Sequence, residues 1–121
     1  MKYMGVFNWP IRLDSMDGQQ SVEIEALVDT GASYTVVPTH LLEHLGVSPM
    51  DKIGLVLADG RPVEYDIGEA RATIDGRSIP TLVVFGEDDS RALLGAYTLE
   101  GLRLAVDPTH GRLIPAPHAW A

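Results

Sequence analysis

One acid in this chain sits where chemistry can use it. Asp29 is followed by Thr30, Gly31, Ala32 and Ser33, between an alternating apolar segment that ends at Val28 and the apolar run Val36, Val37, Pro38. An acid, a hydroxyl, a glycine and two small residues between two strands make a tight loop. The glycine permits close backbone approach, and small neighbours leave room for another segment of chain. A carboxylate in such a loop can accept hydrogen bonds from backbone N–H groups and keep a fixed direction, as a general base requires. Taken alone, the same tripeptide is also an ordinary turn, because Asp, Thr and Gly are all turn formers. Its surroundings decide between the two.

Composition removes most rival chemistries. The chain has no Cys, which excludes disulfides, thiolate catalysis and Cys-based zinc or iron–sulfur sites. Carboxylates, hydroxyls, Lys, Arg and the four His are left. Seventeen acidic against nine basic residues give a formal net charge of −8, the opposite of the cationic footprint that attracts phosphate backbones, so nucleic acid is not an expected partner. No apolar run approaches the roughly 20 residues of a spanning helix, and Met1 to Trp9 holds no continuous apolar stretch of signal-peptide type. No membrane partner and a cytoplasmic address are the resulting expectations. The 121 residues, 45% hydrophobic and 21% charged, suit one domain over 1–121 built around one core.

The elements that must position Asp29 are mostly strands. Asp-Gly occurs three times between apolar-periodic runs: Asp17 and Gly18 separate Val6–Leu13 from Val22–Val28, Asp59 and Gly60 separate Leu55–Leu57 from Val63–Ile67, and Asp75 and Gly76 separate Ala70–Ile74 from Ile79–Phe85. Asp-Gly tolerates the positive φ that both central residues of a type I′ turn need, so three such hairpins are expected. Val22, Ile24, Ala26 and Val28 alternate with Glu23 and Glu25, the period of a half-buried strand. The unbroken run Leu82 to Phe85 suits a strand covered on both faces. Helix is restricted to Thr39–Leu45, stopped by Gly46, and Ala96–Glu100, stopped by Gly101, each glycine expected in the left-handed cap. Pro108 to Gly111 reads as a turn joining Leu104–Val106 to Leu113–Ile114, and the tail after Pro115 and Pro117 as irregular.

With these elements in place, Ala26 to Ala32 resembles the active-site segment of the retropepsin-like aspartic peptidases. A second piece agrees: Leu93, Leu94 and Gly95 follow the Leu82–Phe85 strand and precede the second helix, as a glycine after two apolar residues does in that family. The family also places a flap hairpin between the two, where Ala58, Asp59, Gly60 and Arg61 lie. The resemblance spans about Val22 to Val106. It implies a mainly β, single-domain acid-protease barrel with one or two short helices, forming half of a homodimeric enzyme. In that family two Asp carboxylates share a proton and activate water, with no metal and no cofactor. This chain has one Asp followed by Thr or Ser and then Gly, so the second carboxylate would be Asp29 of an identical subunit. The family pattern implies that Thr30 bonds across the two-fold axis and that Gly31 offers its N–H to Asp29. The implied substrate is a peptide or protein. Two departures bear on substrate preference: Ser33 stands where retroviral members often carry a second Asp, and the Asp59–Arg61 tip is more polar than a glycine-rich flap. A catalytically silent dimer that binds an extended peptide by strand addition is the alternative function.

Other motifs point elsewhere. His40, Leu41, Leu42, Glu43 and His44 match the H-x-x-E-H spacing of the inverzincin metallopeptidases. The candidate helix is barely two turns and no third ligand is evident downstream, so a solvated surface helix with Leu41, Leu42 and Leu45 facing inward is expected. Glu87, Asp88 and Asp89 lack the spacing of a calcium loop and read as a solvated connection. Trp9, Tyr97 and Trp120 suit core or interface alike.

Overall fold

The alternating segment forms strand β2 (Ser21–Val28), with Ala26 and Val28 buried and Glu23 and Glu25 exposed. This is seen in the computed structural model, which describes residues 7–116. Strand β1 (Asn8–Asp14) lies antiparallel beside it, pairing Ile11 with Ile24 and Leu13 with Val22. The apolar run after the Asp29 loop becomes β3 (Thr35–Pro38), which leads directly into helix α1 (Thr39–His44). Then come β4 (Asp51–Val56), the long β5 (Pro62–Ile74), β6 (Arg77–Gly86), the two-residue β7 (Leu93–Leu94) and α2 (Ala96–Leu102). A hairpin of β8 (Leu104–Asp107) and β9 (Arg112–Pro115) completes the order, joined by the expected Pro108–Gly111 turn.

Seven strands form one sheet in the order β1-β2-β7-β3-β6-β5-β4. At thirteen residues, β5 is long enough to serve two neighbours on one side. Its first half pairs with β4, and Arg71, Ala72 and Thr73 reach β1 at Asp14, Leu13 and Arg12. That second contact closes the sheet into a ring and leaves β4 outside it, so the fold is a mainly β barrel as expected. Leu13, Val28, Val37, Ile74, Val83 and Leu94 fill the interior and are almost fully buried, each worth about 1.5–3 kcal/mol of transfer from water. Leu42 of α1, Leu45 just after it, and Leu99 and Leu102 of α2 add to the same core. Among the described residues no helix is long and apolar enough to cross a membrane.

Two local expectations are corrected. Only Asp75 and Gly76 both take positive φ, at 51° and 83°, and form the two-residue turn between Ile74 and Arg77. At the other two hairpins Gly18 (76°) and Gly60 (88°) are left-handed but the preceding Asp is not. There the Asp carboxylate instead accepts a backbone N–H two residues on, Gln19 at 2.9 Å and Arg61 at 3.0 Å. This Asx geometry competes with the type I′ conformation and lengthens the loop. Gly46 takes the left-handed position after α1 (φ 76°) as expected. Gly101 does not end α2: the helix runs to Leu102, and Arg103 adopts the left-handed cap at φ 58°, ψ 47°. Gly101 is small for a different reason, because a Cβ there would collide with Ile79 Cδ1. Val6, Pro117 and Trp120 lie outside the described residues.

Candidate active site

Asp29 leaves β2 just where β7 ends beside it. Leu27 and Val28 pair in parallel with Leu93 and Leu94, while Val36 of β3 pairs antiparallel with Leu93 from the other side. The two-residue strand is therefore a wedge between the segments that enter and leave the Asp29 loop. Asp29 N–H donates to Leu94 O at 3.0 Å, and its carboxylate Oδ1 accepts the Gly31 N–H at 2.9 Å. Ala32 N–H closes the turn on Asp29 O at 3.1 Å. The loop is tied to the start of α2 as well, through Ala96 N–H to Ala32 O at 2.8 Å and Tyr97 N–H to Ser33 O at 2.9 Å. The Asp29 backbone is thus held by Leu94 and its carboxylate by the Gly31 N–H, and the residue is half-buried.

The small residues have steric causes. A Cβ on Gly95 would strike Tyr34 O and sit 3.0 Å from Ala32 O, so the two loops touch at a point where only glycine fits. A Cβ on Gly31 would approach Asp29 Oδ1 to 3.2 Å, crowding the acceptor that its own N–H holds. Thr30, Gly31 and Ser33 are exposed and Ala32 is half-buried. The structure thus brings together Asp29, Thr30, Gly31, Ala32 and Ser33 with Leu93, Leu94 and Gly95.

Ala58, Asp59, Gly60 and Arg61 form the exposed tip of the β4–β5 hairpin. Its hydrogen bonds are internal: Leu57 N–H to Arg61 O, Gly60 N–H to Leu57 O, and Arg61 N–H and Nε to Asp59 at 3.0 and 2.8 Å. The Arg61 guanidinium and N–H hold the Asp59 carboxyl below its usual range. None of these bonds reaches the Asp29 loop.

Behind the loop lies a buried hydroxyl chain that inspection of the sequence did not single out. Thr35, Thr81 and Thr98 are each 2% exposed or less. Thr35 Oγ1 is 2.6 Å from Thr98 Oγ1, which is 2.9 Å from Thr81 Oγ1, and Gly95 N–H donates to Thr35 Oγ1 at 3.1 Å. A signal existed in the apolar periodicity. Thr35 is in step with Val37, Thr81 with Val83 and Phe85, and Thr98 lies four residues before Leu102 on one helix face. Nearby, the rings of Tyr34 and Tyr97 pack at 5.8 Å, while Trp9 meets Phe7 edge to face at 6.0 Å.

The H-x-x-E-H segment is a surface helix, with Leu42 and Leu45 buried, Leu41 half-buried, and His40, Glu43 and His44 exposed. His40 is turned to Asp88, whose Oδ1 accepts the His40 backbone N–H at 2.8 Å and lies 3.1 Å from its ring Nδ1. That pair holds the Asp88 carboxyl below the usual range and satisfies a free N–H of the first turn of α1. Among the described residues no group of three His, Asp or Glu is arranged to hold a metal ion.

The family model described as "gag-polyprotein putative aspartyl protease" matches residues 15–101, a span that includes both the Asp29 loop and Gly95. Among solved structures the chain is similar to the EIAV protease in complex with an inhibitor, at 22% identity and TM-score 0.57, covering 84% of this chain and 90% of that one. It is similar to the retroviral protease-like domain of Ddi1 from Leishmania major, at 19% identity and TM-score 0.56, covering 93% and 91%. It is also similar to the simian foamy virus protease, at 20% identity and TM-score 0.53, covering 77% and 93%. These likenesses bear out the retropepsin-like fold. No curated protein matches the chain by sequence.

Proposed function

Because the chain belongs to the gag-polyprotein aspartyl protease family, we propose that it hydrolyses peptide bonds as a homodimer, with Asp29 of each subunit forming the catalytic pair. The observation that carries this reading is the clamped carboxylate. Asp29 is fixed through Leu94 O and the Gly31 N–H, and the chain holds one such loop. Two-fold symmetry is the economical source of the second acid.

In that dimer the two carboxylates lie close enough that both cannot ionise together, so one proton is shared. The ionised member takes a proton from a water held between them. The water oxygen attacks the peptide carbonyl carbon, and the protonated member donates to the carbonyl oxygen as it gains charge. Collapse of the tetrahedral gem-diol breaks the C–N bond: the acid now protonated gives its proton to the amine nitrogen while the ionised acid takes the proton of one gem-diol hydroxyl, which releases a carboxylic acid and an amine and restores the shared-proton state. Thr30, exposed on the loop, is the residue we assign to bonding across the axis. The β4–β5 hairpin with Ala58, Asp59, Gly60 and Arg61 is the segment we assign to covering an extended peptide. EIAV protease was solved with an inhibitor bound, which supports a cleft of this type for the present chain.

Asp29→Asn tests the assignment. It keeps the acceptor oxygen for Gly31 but removes the titrating group, so peptide cleavage is expected to fall by about a thousandfold or more, with melting temperature and sedimentation unchanged. An undiminished rate would refute the role of Asp29. Tight peptide binding without product in the unmutated protein would favour a peptide-binding module of the same fold. Cleavage by a strictly monomeric species would remove the dimer from the mechanism.

A further inference from the structure

We propose that Thr98 is a positioning residue for Asp29, acting through Thr35 and the Leu94–Gly95 peptide group. The inference rests on the reading of Asp29 as the catalytic acid. The Leu94 carbonyl and the Gly95 N–H belong to one planar peptide unit, which cannot tilt at one end alone. Its oxygen accepts from Asp29 N–H at 3.0 Å, and its N–H donates to Thr35 Oγ1 at 3.1 Å. The orientation of the Asp29 backbone is therefore set by where the Thr35 hydroxyl sits.

Thr35 does not fix that hydroxyl unaided. Its Oγ1 is paired with Thr98 Oγ1 at 2.6 Å, and Thr98 is paired in turn with Thr81 Oγ1 at 2.9 Å. Each hydroxyl has one proton to give and two lone pairs to receive, so Thr35 can hold both Gly95 N–H and Thr98 whichever way the protons run. Thr81 belongs to β6, which pairs with β3 along Thr35 to Pro38 and with β5 over eight residue pairs. A rigid wall of the barrel is thus linked through a helix side chain and a strand side chain to one peptide plane beside the acid. Thr98 alone bridges the two other hydroxyls, and it is fully buried at 0% exposure. Without it, two buried hydroxyls lose their shared partner, which is costly and loosens the chain of contacts.

Thr98→Val removes the hydroxyl at nearly constant volume, and Thr98→Ser keeps it. In the full-length protein, amide hydrogen exchange at Asp29 and Gly95 should quicken by about tenfold or more in Thr98→Val, while amides of the β5–β6 hairpin keep their rates. Thr98→Ser should retain wild-type protection at both sites. For peptide cleavage, Thr98→Val should lower kcat by about tenfold with KM unchanged, and Thr98→Ser should restore it. Unchanged exchange at Asp29 and Gly95 in Thr98→Val overturns the proposal, as does a uniform rise across β5–β6, which marks a purely global loss of stability. If Thr98→Val itself does not fold, Thr81→Val carries the same expectation through the other end of the relay, and unchanged local exchange there has the same force. The exchange result does not depend on turnover. Local quickening in a protein that cleaves nothing would sink the peptidase reading and leave the relay standing as the support of a non-catalytic loop.

Discussion

The Asp29 loop and the β4–β5 hairpin tip are both short polar turns with a glycine, yet they are held in opposite ways. The Asp29 loop donates a hydrogen bond to Leu94 and accepts others from Ala96 and Tyr97, all more than sixty positions away. Among the described residues, the tip of Ala58–Arg61 bonds only to itself and to Leu57. One turn is braced by the barrel, and the other projects from a strand outside the closed ring. The difference teaches that turn composition alone does not specify rigidity. What matters is whether the partners of a turn's backbone are local or remote.

Substitutions can break or sharpen that contrast. The largest effect is expected from Gly95→Ala, whose methyl group would press on Tyr34 O and Ala32 O. Backbone must move to admit it, at about 3 kcal/mol, seen as a fall in melting temperature on the order of 10 °C together with lost cleavage. A near-normal melting temperature would show that the two loops are less tightly braced than their contacts indicate. Next is Gly31→Ala, where 3.2 Å to Asp29 Oδ1 calls for a small shift of the carboxylate. Here kcat should fall by about tenfold with little change in stability.

In the hairpin the same change should matter less. Gly60→Ala places a side chain at φ 88° with open space around it, so the stability cost is conformational alone, about 1 kcal/mol, read as a fall in melting temperature of a few degrees. The smallest effect is Arg61→Gln, which breaks an exposed ion pair with Asp59 and should leave the melting temperature unchanged within error. A fall in melting temperature in either hairpin variant as large as that of Gly95→Ala would erase the contrast between the two turns.

A third turn offers a pH test of local bracing. Asp107 accepts the His110 ring at 2.9 Å and Arg112 Nε at 2.9 Å, and these bonds lower its carboxyl to about 2. Its folded value lies below that of the unfolded chain, so its contribution is fully present above about pH 4 and is lost as pH falls through about 2. Asp107→Asn should remove this acid-side dependence from the β8–β9 signals in a titration followed by NMR, and leave the Asp29 loop unmoved.

Much of this organisation was legible from residue pattern. The alternation of Val22 to Val28 gave the inner face of β2, the run Leu82 to Phe85 gave the core strand β6, and the pairing of the Asp29 loop with Leu93-Leu94-Gly95 gave the site's framework. Turn type was less legible, because at Asp17 and Asp59 the side chain competes for the backbone N–H two residues on and displaces the type I′ geometry. Gly101 was misread as a helix stop because its cause is Ile79, a neighbour twenty-two positions earlier in the chain. The threonine relay was not legible as a unit. Each Thr suits a strand or a surface on its own, and only the fold brings positions 35, 81 and 98 within hydrogen-bond reach.

The seating of β7 carries a consequence for the order of assembly. Leu93 and Leu94 lie between β2 and β3 and pair with both, so the groove that receives them must be framed before they can enter it. Contacts closing so long a loop are entropically late and form slowly. A growing polypeptide therefore emerges from synthesis with its acid loop unbraced until Gly95 has been added, and maturation of the site is coupled to the last stages of folding.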